Sequence, residues 1–477
     1  MKISIKKSLS DLQGLIILPF FESENEVKLP ENLSHSTISS RVFNGKKDSI
    51  YMLEDEKNLL FFIGLGNSDA TFKSIQTAFR RVTAKHESIF EEDFNIIFSN
   101  DFSNEHIQAA ITGLKLGTYR LSHFKSTEKE KKDWNKINLT LISENSNLEK
   151  IAKDSIALAS AQIETMKLVD LPANEVTPTY LANWAQEKSK ELGFKVTILE
   201  RKEAEEIGLH AFLAVSQGSS VKKSPRFIIA EYRHEQAKKH LGLVGKGVTF
   251  DTGGLNIKTA GMVHMKCDMG GAAAVLGSFT AAASLSLPIN LTAIVPCVEN
   301  SIDNDSFLPS DVIRSYSGKT IEVIDTDAEG RLILADGLSY LVKNYNPDSI
   351  IDLATLTGSA VGTFGYECAA LFSKDQSLSS AIQEAGLAVG EKTWPLPMWD
   401  SYGKEMDSEI ADIKNYHGKP FAGAITAAKF LEAFTDSHVS WAHIDIAGTA
   451  FGDSEFAKTK HATAFGVHLI IKFIEKL

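Results

Sequence analysis

Three cysteines in 477 residues, Cys267, Cys297 and Cys368, have no paired spacing; so sparse and odd a count excludes a disulfide scaffold and points to a reducing compartment. No apolar run is long enough to span a bilayer. Positive charge is short as well. With a formal net charge of −11, nucleic acid is an unfavoured general partner, because nonspecific binding rests on Lys and Arg neutralising phosphates. A local basic patch stays open. The first residues offer Lys2, Lys6 and Lys7, but Asp11, a short apolar run and Glu22 to Glu26 follow, which is no secretory cleavage region. A cytoplasmic protein without membrane contact is expected. Walker loops, dinucleotide fingerprints, internal repeats and low-complexity tracts are likewise missing.

What remains is an ordinary globular composition, 43% hydrophobic and 23% charged, in a chain longer than one core usually holds. Two domains are expected. In the first, residues 15–20, 59–65 and 96–98 read as strands and 71–86 and 104–116 as amphipathic helices, which makes a small α/β domain over 1–146. It has no cluster of His, Cys or close carboxylates beside glycine turns, so no chemistry is assigned to it. The charge runs at 91–93 and 128–133 read as solvated surface. Ile151, Ile156, Leu158, Ala159, Ile163 and Met166 fit one long helix over 147–167, stopped by Leu171-Pro172, so that 147–170 links the domains. Beyond it, 171–477 alternates strands (195–199, 226–231, 240–244, 290–295, 320–324, 349–354, 440–446) with helices (182–192, 270–283, 329–344, 424–434, 463–474). That order implies a larger α/β domain with a largely parallel central sheet, whose ligands lie beyond the strand C-termini.

The chemistry gathers in two stretches. One runs from Val244 through Lys246 and Asp251 to Gly254, followed by Lys258 and Asp268; the other is Asp325 to Leu332, with Asp327, Glu329 and Arg331 at alternate positions. Gly245, Gly247, Gly253 and Gly254 are read as tight turns that bring Lys246 and Asp251 together. Asp327 and Glu329 alone fit a helix N-terminus with acidic residues. Beside Lys246, Asp251, Lys258 and Asp268 they fit a binuclear metal site, where carboxylates bridge two divalent ions about 3.5 to 4 Å apart. A lysine ligand must be a neutral amine, which needs burial and nearby cations. His443 and Asp445 alternate on a strand and so share a face; a hydrogen-bonded core pair is the favoured reading over a metal pair.

These two stretches, with Leu171-Pro172-Ala173-Asn174-Glu175-Val176-Thr177-Pro178, closely resemble the leucine aminopeptidase (cytosol aminopeptidase) family of two-metal exopeptidases, from about residue 148 to the C-terminus. The resemblance implies the following roles. Lys246, Asp251, Asp268, Asp327 and Glu329 are metal ligands, with Asp251 and Glu329 bridging two Mn or Zn ions. Lys258 polarises the scissile carbonyl, and Arg331 holds a bicarbonate that acts as general base on a metal-activated water. The substrate amine binds a metal and Asp268, so only the N-terminal residue of a peptide with a free N-terminus is released. Met265, Thr355, Gly358 and Ala447 match positions lining the first side-chain pocket, with ordinary packing as the other reading. The family also implies a homohexamer. Two departures stand out: Asp325 replaces the family Asn, and the segment from Lys258 to Asp268 is one residue shorter than the family pattern. A phosphoesterase using the same carboxylates and a DNA-binding protein are the competing readings.

Overall fold

The computed structural model describes residues 1–7, 12–24, 26–30, 33, 37–54, 57–90, 93–126 and 132–477. Most of the two charge runs, 91–92 and 128–131, therefore lies outside the described residues; Asp93 and Asp133 at their ends are exposed. The chain divides into two compact units, residues 1–163 and 164–477.

The first unit is a six-stranded sheet among the described residues. Its strands are β1 (Lys2–Lys6), β2 (Gly14–Phe20), β5 (Ile50–Glu54), β6 (Asn58–Gly64), β7 (Phe94–Ile97) and β8 (Asn138–Ile142), while β3 (Val27–Lys28) and β4 (Thr37–Ile38) form a separate hairpin. The spatial order is β1-β8-β7-β2-β6-β5, parallel except for β5, which runs antiparallel at the edge. Alternation decides the two faces. Leu15, Ile17, Phe94, Ile96, Leu139 and Leu141 pack with helices α1 (Phe72–Lys85) and α2 (Asn104–Leu116), whereas Ile16, Leu18, Ile97 and Ile142 pack with Val27, Leu29 and Ile38 of the hairpin. Thr71 caps α1 through its hydroxyl, and Ser103 caps α2 with a reciprocal bond to His106. Helix α3 (Leu148–Asp170) ends directly at Leu171-Pro172, three residues beyond the expected end.

In the second unit, α4 (Pro178–Leu192) starts four residues before the sequence expectation, because Thr177 caps it and Pro178 sits in the first turn, where its missing N–H costs nothing. The strands are β9 (Lys195–Leu199), β10 (Arg226–Tyr232), β11 (His240–Gly245), β12 (Gly247–Asp251), β13 (Asn290–Asn300), β16 (Ser349–Ala354), β17 (Ala369–Ser373), β18 (Thr393–Pro395) and β20 (Trp441–Asp445). They form one sheet in the order β18-β17-β20-β16-β11-β13-β10-β9, with β12 also on β13. The middle four, β20-β16-β11-β13, are all parallel. Short helices α5 (Arg201–Glu206) and α6 (His210–Val215) precede the centre. The alanine-rich α7 (Gly270–Ser284), buried almost end to end, lies against β11, β13 and β16, and α8 (Gly330–Tyr345) packs Leu332, Leu338 and Leu341 with Val244, Ile294 and Ile350.

Three expectations need correction. The strand expected at 320–324 is only β15 (Thr320–Glu322), and it belongs to a separate small sheet with β14 (Val312–Arg314) and β19 (Ile413–Lys414). Its pattern is apolar enough for a strand but too short to reach the main sheet. The last helix begins at Val467 rather than 463, because Ala464 and Gly466 hold φ of 60° and 98°, outside any right-handed helix. Finally, β13 continues through Pro296 to Asn300 instead of stopping at 295. β11 pairs with 290–294 and β12 with 297–300, so the proline stands opposite the break between them, where a ladder donor is not required.

Candidate metal centre

That break is Lys246, at the carboxyl end of the central parallel strand. Its backbone stays anchored on both sides, the N–H donating to Leu353 O at 3.1 Å and the C=O accepting from Ala272 at 2.8 Å. Gly245 and Gly247 do not turn the chain as expected; neither has positive φ. They allow close approach instead: a Cβ at Gly245 would stand 2.8 Å from Gly271 O, and one at Gly247 2.6 Å from Pro296 O. The turning is done by Gly253 and Gly254, at φ 88° and 61° just after Asp251. Lys258 N then closes the loop on Thr252 O at 2.9 Å. Asp268 ends the helical turn Met262–Cys267 and leads into α7.

Asp327 and Glu329 arrive on the loop before α8. Thr326 Oγ1 donates to Gly253 O at 2.7 Å, and Thr326 and Asn256 exchange backbone-to-side-chain bonds at 2.9 Å each, so the two loops are stitched together. Asn300, at the end of β13, donates from Nδ2 to Asp251 Oδ1 at 2.8 Å and to Thr326 O at 3.1 Å. Asn415, fully buried, accepts from Ile324 N at 2.8 Å and donates to Asp325 O at 2.6 Å.

The structure thus brings six of the expected residues together. Lys246 Nζ lies 2.9 Å from Asp268 Oδ1, 3.0 Å from Glu329 Oε1 and 2.8 Å from Thr355 O, with its stem over Gly330. Lys258 Nζ lies 2.8 Å from Asp251 Oδ2 and also contacts Asp327. Asp251, Asp268 and Glu329 can each aim an oxygen so that all three atoms lie within 4.8 Å of one another. Four carboxylates here face two ammonium groups, with the Arg331 guanidinium near Glu329, so acid outnumbers base in a largely buried place.

The electrostatics reflect that surplus. Burial, then the neighbouring carboxylates, pushes Asp327 up to about 7 against the pull of Lys258, and raises Asp268 and Glu329 as well. Burial alone would depress Lys246 and Lys258, but the carboxylates around them outweigh it and raise both. Asp268 Oδ2, Glu329 Oε2 and Asn300 Oδ1 are buried with no hydrogen-bond partner. Orphaned oxygens of this kind are costly unless a cation meets them, so the donor set fits divalent metal ions.

Arg331 is buried in the first turn of α8. Its Nη1 donates to Asn415 O at 2.7 Å while Nε has no partner, and burial lowers its pKa to about 10 in spite of Glu329, Asp325 and Asp445. Asp325 turns back to accept from Asp327 N at 2.8 Å. Thr355 Oγ1 donates to Asp268 Oδ1 at 2.9 Å, and Asp268 N in turn bonds to Met265 O at 3.2 Å. Gly358 opens a short helix (Gly358–Phe364) and has nothing within 4 Å of where a Cβ would stand, and half-buried Ala447 donates its N–H to Asp445 Oδ1 at 3.1 Å.

His443 and Asp445 do not pair with each other. His443 Nδ1 meets Asp352 Oδ1 at 2.6 Å, and Asp445 receives Leu356 N, Thr357 Oγ1 and Ala447 N, which makes it the anchor of the 355–358 loop. Sequence reasoning missed the supporting residues Asn300, Asn415 and Asp445 in these roles. Asn300 had a usable signal, a polar residue ending a long apolar strand; Asn415 had none, since its partners are some 90 positions away.

A two-unit α/β chain with a buried lysine-carboxylate centre at the end of its parallel strands belongs to the metallohydrolase class. Residues 164–471 match the "Cytosol aminopeptidase family, catalytic domain" and residues 19–128 the corresponding N-terminal domain. The chain belongs to the cytosol aminopeptidase family, and it is a metalloaminopeptidase. Its relatives include a probable cytosol aminopeptidase of Chlorobaculum tepidum, 46% identical over 376 residues, or 76% of this chain and 74% of that protein. Another, from Chloroherpeton thalassium, is 36% identical over 99% of both. Among solved structures, the bottromycin maturation enzyme BotP in complex with Mn is similar at a TM-score of 0.85 and 27% identity, over 97% of this chain and 99% of that one. Among the described residues, no helix is long and apolar enough to cross a membrane.

Proposed function

We propose that the enzyme releases the N-terminal residue of peptides with a free amine through a binuclear centre held by Lys246, Asp251, Asp268, Asp327 and Glu329. The observation that carries this reading is the buried charge surplus, with unpartnered oxygens on Asp268 and Glu329, set beside two lysines. Two divalent ions, Mn as in BotP or Zn, would supply Lewis acidity and lower the pKa of a water. The chain's own residues do the rest. Asp251 and Glu329 would be shared between the two metal positions, and Asp268 would hold the substrate amine. Lys258, partly exposed, faces the carbonyl oxygen as charge develops there. Arg331, with an unengaged Nε, is the residue suited to hold a bicarbonate that accepts the proton. Met265, Thr355, Gly358 and Ala447 shape the first side-chain pocket.

The same reading takes 1–146 as the N-terminal domain, 147–170 as a linker helix and 171–477 as the catalytic domain, in a cytoplasmic homohexamer. Its test uses the amine as a ruler that places only the first carbonyl over the nucleophile. Leucyl anilide should be hydrolysed and N-acetyl-leucyl anilide left intact. Cleavage of the blocked compound at a comparable rate would refute exopeptidase action.

A further inference from the structure

The carboxyl edge of the N-terminal sheet also holds a cavity, of about 350 Å³, to which the reaction above gives no role. Its walls come from the ends of four adjacent parallel strands: Lys7 after β1, Ser143 and Glu144 after β8, Phe98 to Asn100 after β7, and Leu18 to Phe20 closing β2. The segment after β3, with Lys28 and Leu29, supplies the remaining side.

Topology singles out this place. From β2 the chain travels by way of the β3–β4 hairpin and β5 to β6 on one side, and from β7 it travels through α2 to β8 on the other side. The two connections diverge on opposite faces, because α2 packs on the Ile17 and Ile96 face while the hairpin packs on the Leu18 and Ile97 face. A gap beyond the carboxyl ends of β2 and β7 is therefore a switch point, the position where open parallel sheets leave a crevice for ligands. The volume lies within the range of about 300 to 1,000 Å³ usual for small-molecule sites.

Its chemistry narrows the ligand. Leu18, Ile97 and Ile142 present an apolar wall, and Lys7 and Lys28 are exposed. Glu144, the one carboxylate among the described lining residues, accepts from Asn100 Nδ2 at 2.9 Å. Among the described lining residues two lysines stand against one carboxylate above an apolar wall, a balance that suits a single anionic head and disfavours a polyphosphate. We propose that this cavity is a second binding site, for a small organic anion with an apolar body whose carboxylate or phosphate monoester meets Lys7 and Lys28. The proposal is independent of the aminopeptidase reading.

The test uses the full-length, metal-loaded enzyme in calorimetric titrations with two probes, N-acetyl-leucine and adenosine monophosphate. The first carries no free amine for the catalytic centre. At least one probe should bind once per chain with Kd below about 1 mM. The double variant K7E/K28E should weaken that binding roughly tenfold or more, and Ser99→Trp, at an exposed lining position, should abolish it by filling the space. Both variants should hydrolyse leucyl anilide at the parent rate. Binding by N-acetyl-leucine identifies a carboxylate ligand, and binding by the nucleotide a phosphate monoester. If neither probe binds, or if binding survives both variants, the proposal fails.

Discussion

At the carboxyl edge of the N-terminal sheet stand two exposed lysines, one carboxylate and an apolar wall; at that of the C-terminal sheet, four carboxylates and two lysines crowd a buried pocket. Both edges are formed by the carboxyl ends of parallel strands. What separates them is how the charges are held. In the C-terminal unit the strand itself is interrupted at Lys246, and Asn300, Thr326 and Asn415 lock the neighbouring loops together, so like charges are kept close against their repulsion. Lys7 and Lys28 sit on the surface, and nothing comparable fixes them among the described residues. Sheets with parallel strands thus present two differently charged edges, and only one of them holds its charged side chains fixed against one another.

The most drastic way to break that contrast is to remove metal. Chelation followed by dialysis should reduce leucyl anilide hydrolysis to background, and Mn or Zn should restore it, while hydrogen exchange across residues 1–163 stays as it was. Full activity in metal-free protein would sink the centre. Next in size, Asp251→Asn should lose more activity than Lys258→Ala, since on the proposed reading Asp251 would serve both metal positions. Loss of the lysine removes one stabilising contact, worth roughly 2.7 to 4 kcal/mol of transition-state energy by analogy with an oxyanion donor. The opposite ranking of kcat would exchange their roles.

Two smaller substitutions sharpen the comparison. Asn can still accept the Asp327 N–H that Asp325 now receives, so Asp325→Asn should keep the loop and the activity. Loss of that nearby charge should raise the metal concentration needed for half-maximal activity by up to about tenfold; an unchanged requirement would mean Asp325 does not act on the centre. Gly358→Ala should leave Tm unaltered, because a Cβ there meets nothing within 4 Å. If Gly358 lines the side-chain pocket, the leucyl-to-alanyl ratio of kcat/KM should shift by roughly tenfold or more. A constant ratio would return this position to ordinary packing.

The buried cluster is legible in the sequence because its members flank strong signals, the apolar strand ending at Val244 and the apolar helices that follow Asp268 and Glu329. The frame that holds it is not. Asn415 acts on residues some 90 positions earlier, and Asp445 on a loop nearly as distant, distances over which no periodicity speaks. The strands β1, β5, β8 and β17 escape sequence patterning: each is only five residues long, and β1 and β5 are half-exposed edges of their sheet. Helices with capping hydroxyls, such as α1 and α2, are readable nearly to the residue, since their ends are written locally by Thr71 and Ser103.

Pro296 is a case where a distant partner does leave a local mark. Its carbonyl points toward Gly247, and strand geometry puts its nitrogen on the same side, facing the gap left by Lys246. In a neighbour that ran unbroken, a proline there would waste an acceptor in the middle of the sheet. A proline inside an otherwise apolar central strand can therefore be taken as a footprint of the adjacent chain: it marks the level at which the next strand steps out of the ladder, and here that step delivers the lysine amine to the carboxylates.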